Sequence, residues 1–149
     1  MISTILIFGT SMMLFAYWFR YTCLLILSAK TTRDFAADVA AANSLGCLLI
    51  RDQLRLGAVI GELDLLSKTL HRDYQVVTYL LQHAAVSDQN GSGLEQRMLR
   101  IDYRLMRLCY SVLAPFSPRH ARQALEEMTQ IVCHFANVMG ERATAGACA

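Results

Sequence analysis

The sequence is short of charge. Asp, Glu, Lys and Arg make up 17% of its 149 residues, against about 25% in an ordinary soluble domain. Its net charge of +2 is too small for a dedicated nucleic-acid binder, which carries a strong basic excess. Lysine is scarcer still, since Lys30 and Lys68 are the only lysines among 14 basic residues. With 2 Pro and 8 Gly the chain is neither collagenous nor a low-complexity linker. Its 54% hydrophobic content excludes disorder, because disordered chains are polar and apolar-poor. No alternating Val/Ile/Thr run between turn signals reads as a strand. There is no P-loop, GxGxxG, GxSxG or HExxH, so no motif marks a nucleotide, acyl-transfer or zinc-peptidase site.

The missing charge is concentrated at one end. Arg20 is the only charged side chain in residues 1–29. Ile2–Phe19 is a run of 18 uncharged positions, about 27 Å long as a helix, close to the roughly 30 Å hydrocarbon core of a bilayer. Backbone groups in lipid are satisfied only by a helix or a closed barrel, so a single transmembrane helix is expected. Tyr17, Trp18, Arg20 and Tyr21 gather at the end of this run, where amphipathic rings and a snorkelling guanidinium anchor among headgroups. Lys30 and Arg33 follow, and the positive-inside rule then puts the bulk of the chain in the cytoplasm with the N-terminus outside. A cleaved signal is disfavoured, because no basic residue precedes Ile2 and Leu27-Ser28-Ala29 is a poor cleavage site. Residues 21–29 are apolar too, and a span centred across 5–28 would carry Arg20 into the bilayer and suggest an acidic partner there.

Beyond residue 30 the punctuation divides the chain into helices. Thr31–Asp34 is a capping-box-like start, and an Ala-rich stretch runs through Arg55 with a break near Asn43–Gly46. A second helix is expected from about Gly57 to Ala85, and Ser87–Gly93 reads as a loop. Ser92 and Glu95 form a capping box for the next helix, which ends near Ala114 before Pro115 and Pro118. Ser117 and Pro118 are a natural N-cap and first residue for the last helix, expected to fade around Gly140. Leu94, Met98, Ile101, Leu105, Leu108 and Val112 follow 4-3-4-3-4 steps, one apolar seam. Ala121, Leu125, Met128, Val132, Phe135 and Met139 repeat those steps, and Leu63, Leu66, Leu70, Val77 and Leu81 form a third seam with Tyr74 beside it. Phe35, Val39 and Leu49 offer a fourth face. The expected fold is all-α: a transmembrane anchor helix over 1–30, a cytoplasmic antiparallel helical bundle of three to four helices over 31–142, and a flexible tail over 143–149.

Few residues suggest chemistry. Arg97, Arg100, Arg104 and Arg107 lie within an arc of about 80° beside the apolar seam at 100° per residue, with no acid at i±4. They are candidates for contact with an acidic partner or anionic headgroups; the alternative is a solvated flank paired with Glu62, Asp64, Glu126 or Glu127. Asp73 falls on the apolar arc of its helix, where a carboxylate must find a partner or stay protonated; an internal Asp–Arg pair is expected. His71, His83, His120 and His134 have no metal-ligand spacing, and no metal site is expected. Cys23, Cys47, Cys109, Cys133 and Cys148 are odd in number and scattered singly, which indicates buried fillers in a reducing compartment. Gly57–Gly61 matches GxxxG but reads as a helix contact or boundary. The leading expectation is a single-pass accessory or scaffold subunit that binds another protein, or itself, through the bundle. A lipid-responsive regulator using the Arg row is the second. An enzyme built on Asp73, His71 and Asp102 is the third, without a catalytic motif. No cofactor, nucleic acid or small-molecule substrate is implied.

Overall fold

A computed structural model of the chain describes residues 1–28, 34–57, 60–84 and 92–147. Among the described residues there are six α-helices and no strand: α1 Ile2–Ser28, α2 Ala36–Asn43, α3 Cys47–Leu56, α4 Leu63–Ala84, α5 Ser92–Leu113 and α6 Pro118–Ala147, with a 3-10 turn over Ile60–Glu62. The chain divides into two compact units, Met1–Lys30 and Thr31–Ala149. Thr31–Arg33, most of the expected loop (residues 87–91) and the last two residues of the expected tail lie outside the described residues.

The first unit is α1. Its 27 residues extend about 40 Å, and its most apolar 18-residue window has a mean hydropathy of 1.6, long and apolar enough to cross a membrane. Thr10 Oγ1 donates to the Leu6 carbonyl at 2.8 Å, Thr22 Oγ1 to Trp18 at 2.9 Å and Ser28 Oγ to Leu25 at 2.9 Å. Hydroxyls bonded to their own helix need no outside partner. The helix continues to Ser28, so Tyr17, Trp18, Arg20 and Tyr21 lie inside it rather than at its end.

In the second unit α6 is the common neighbour of α2, α3, α4 and α5. Leu125, Met128, Ile131, Val132, Phe135 and Ala136 are all fully buried, and each large side chain so placed stabilises by about 1.5–3 kcal/mol. The expected α6 seam is therefore interior, with Met139 half-buried. The α4 seam is interior as well: Leu63, Leu66, Leu70, Val77 and Leu81 are buried.

Four expectations need correction. Five helices follow α1 among the described residues where three to four are expected, the Ala-rich stretch dividing at the break near Asn43–Gly46 into α2 and α3. Ser44 takes a left-handed φ of 53° and the Leu45 N–H donates back to the Ala40 carbonyl at 2.9 Å, a closure that ends α2. Gly57, at φ 89°, ends α3, so the GxxxG match is a helix boundary and α4 begins at Leu63 rather than near Gly57. Gly140 does not end α6. A Cβ there would strike Phe35 Cβ and press on Val39, so this glycine admits the start of α2 against α6 and the helix runs on to Ala147. Leu49 points outward, 70% exposed, and α3 buries Cys47, Ile50 and Leu54 instead.

The short helices are capped from a distance. Neither α2 nor α3 has a side-chain cap at its own N-cap residue. For α2, Asn137 Oδ1 on α6 accepts the N–H groups of Phe35 at 2.6 Å and Ala36 at 2.9 Å, and Asp34 Oδ1 also accepts from Ala36 at 3.1 Å. For α3, Asp73 Oδ2 on α4 accepts the Gly46 N–H at 2.7 Å. Each satisfies donors that a helix start leaves open.

Candidate functional site

The outward face of α5 departs most from the expected packing. Its seam is not core: Leu94 is 69% exposed, Leu108 65% and Val112 62%, with Ile101 and Leu105 also exposed and Met98 half-buried. The helix instead buries Leu99, Asp102, Tyr103, Met106 and Tyr110, a face centred about 130° around from the seam at 100° per residue. α5 thus has two apolar faces. Aliphatic periodicity singles out the outer one, because the inner one includes two tyrosines and an aspartate, Tyr103, Tyr110 and Asp102. Tyr103 stacks on Tyr74 of α4 at 3.7 Å between ring centroids and 2° between planes, and Tyr74 meets Phe135 of α6 at 6.2 Å. Large ring areas decide which face turns inward.

The Arg row flanks the exposed seam. Arg97, Arg104 and Arg107 are exposed and Arg100 is half-buried. Lys68 pairs with Asp64 at 2.8 Å and Arg51 with Asp52 at 3.9 Å, and neither pair involves this row. Asp64 is thus engaged within its own helix, and the expected pairing of the row with acids on neighbouring helices does not form among the described residues. Arg107 Nη1 lies 2.9 Å from His71 Nε2. A guanidinium only donates, so that ring nitrogen accepts and His71 is neutral. Burial first, then the Arg107 charge, holds the imidazole below its ordinary value.

The other candidates serve separate neighbours. Asp73, 4% exposed, has backbone N–H groups as its hydrogen-bond donors rather than the expected arginine. Burial raises its pKa, and the hydrogen bonds from Gly46 and Cys47, with Arg72 nearby, pull it back. Asp102 is fully buried on the inner face of α5. His83 packs on Tyr79, and His120 Nδ1 lies 2.7 Å from Ser117 Oγ at the start of α6. His134 is held below its ordinary value by burial, with Glu95 and Glu141 opposing.

The structure also joins two cysteines that the sequence leaves 86 positions apart. The thiols of Cys47, at the start of α3, and Cys133, on α6, lie close enough to perturb each other, and neither is in a disulfide. Contact with Cys47, then burial, pushes the Cys133 thiol up, and contact with Cys133 holds Cys47 below the ordinary thiol value against the opposing effect of burial.

The arrangement is suited to recognition: an exposed apolar stripe edged by cations on a rigid helix. Comparison with family models, with curated proteins and with solved structures finds no match to this chain.

Proposed function

We propose that this is a single-pass membrane protein, N-terminus outside, whose cytoplasmic helical bundle is an interaction module working through the outer face of α5. The observation that carries the reading is the exposed seam from Leu94 to Val112 beside the Arg row. Large apolar stripes on a soluble surface mark contact sites, and a cationic edge adds orientation and selectivity. The length and hydropathy of α1 and the self-satisfied hydroxyls along it support the anchor. Arg20, eight residues before the end of α1, lies within snorkelling reach of the headgroups. The module would make the protein an accessory or scaffold subunit of a membrane assembly.

A photo-crosslinking residue placed at Ile101, Leu105 or Leu108 of the full-length protein in cells tests this. Discrete adducts from α5 positions, absent from Leu49 and Tyr79, which are also exposed, are expected; the same pattern at all five sites overturns the reading. Protease access to an N-terminal tag only from the cytoplasmic side overturns the topology.

A further inference from the structure

Resting on that reading, we infer that the partner presents to α5 an amphipathic helix whose apolar positions are flanked by Asp or Glu. The seam steps by 4 and 3 residues without interruption from Leu94 to Val112, a mean of 3.5. That period belongs to helices winding around one another. At about 80° the stripe is also narrower than the arc a helix turns toward a broad apolar phase, and none of its six residues is aromatic, whereas helices lying in a membrane surface favour Trp and Phe. The geometry therefore selects a second helix over a lipid surface.

Charge then selects the kind of helix. With Met98, Leu105 and Val112 as one set of seam positions and Leu94, Ile101 and Leu108 as the other, Arg97 and Arg104 immediately precede the first set. Those places lie against the flanking positions of whatever helix fills the seam. Neither arginine has an acid three or four residues away on α5, and neither is in an ion pair among the described residues. A second copy of this chain does not supply the acids. Seam to seam in parallel, Arg97 would face Asp102 and Arg104 would face Cys109, but Asp102 is fully buried and Cys109 carries no carboxylate. Seam to seam in antiparallel orientation, arginine would face arginine. An acidic helix from another protein completes both the apolar stripe and the charges.

The test uses the full-length protein in phosphatidylcholine nanodiscs and two labelled 28-residue synthetic peptides. Both have Leu at the two seam positions of every heptad; one carries Glu at the flanking positions and the other Lys. At 0.15 M salt the Glu peptide is expected to bind at least tenfold more tightly than the Lys peptide, with the preference reversed by Arg97→Glu/Arg104→Glu and both peptides lost with Ile101→Asp/Leu105→Asp. Circular dichroism of the variants verifies that helicity is retained. Equal affinity for the two peptides overturns the acidic partner but leaves α5 as an interaction face. Binding of neither peptide removes both. A dimer in sedimentation that Leu105→Asp dissociates gives the seam to a second copy. A blue shift of a fluorophore at position 108 in nanodiscs with 30% phosphatidylserine, absent in pure phosphatidylcholine, gives it to lipid. Either of these last results overturns the inference.

Discussion

Truncating Asp73 should uncap a helix that the residue does not belong to. Its carboxylate, 4% exposed, accepts the Gly46 N–H at 2.7 Å, and α3 has no cap of its own. Asp73→Ala removes the acceptor. Loss of an N-cap costs about 1 kcal/mol, and donors left buried without a partner cost a further 1 kcal/mol or so, giving about 2 kcal/mol. For a helical unit of this size that is a fall of roughly 6–10 °C in Tm. Asp73→Asn keeps an oxygen in place and loses only the charge, so it should cost under about 1 kcal/mol. Thermal melts followed at 222 nm, on full-length protein at one detergent ratio, separate the two. The pH dependence has a definite sign. Burial raises the pKa of Asp73, so just above the ordinary carboxylate range the folded state binds more protons than the unfolded one, and wild type loses stability relative to Asp73→Asn as pH rises through that window. An Asn variant as damaged as the Ala variant, or an Ala variant that melts like wild type, would refute the capping argument; the first result would restore an ion pair.

Other variants probe the packing. Gly140→Ala improves helix propensity by about 1 kcal/mol yet puts a Cβ onto Phe35, so a net loss of about 1–2 kcal/mol in the same melt is expected from overpacking; a gain would show that α2 can move aside freely. The Tyr103 hydroxyl is buried without a hydrogen-bond partner among the described residues, so Tyr103→Phe should leave Tm unchanged or raise it, and a drop of several degrees would reveal a missed partner. His71 and His134 are held below the ordinary imidazole value by burial, so below about pH 6.5 the unfolded state takes up protons more readily and Tm should fall on acidification. His71→Gln should flatten part of that fall, measured as Tm between pH 7.5 and 5.5. Treatment with glutathione disulfide should link Cys47 to Cys133 by thiol exchange, which releases two glutathiones and removes two hydrogens from the protein; a peptide map showing either thiol still alkylatable after unfolding would contradict their contact.

The helices were legible because their punctuation is local: proline before α6, the Asn43–Gly46 break, and seams of period 3.5 on α4 and α6. The orientation of α5 was not. Its two apolar faces differ in kind, aliphatic outside and tyrosine-rich inside, and only the ring of Tyr74 on another helix breaks the tie. Gly140 misleads for a similar reason. A glycine late in a helix reads as a terminator until Phe35, over a hundred residues earlier, is seen to occupy the space. The Arg row was visible in full, but whether neighbouring acids neutralise it depends on helix rotation. The position of Asp73 on the apolar arc of α4 shows that it needs a partner; that its hydrogen-bond donors are backbone groups at the start of another helix has no local signature.

The distant caps also set an order in time. At eight and ten residues, α2 and α3 are shorter than the roughly 12–15 at which a lone helix holds together. Synthesis proceeds from the N-terminus, so α2 leaves the ribosome about a hundred residues before Asn137 exists, and α3 precedes Asp73. α2 therefore waits without its Asn137 cap, with Asp34 as its local acceptor, until the last helix is made, whereas α3 waits only for α4. A chain terminated early in α6 loses more than its end: it loses the ordered start of its second unit.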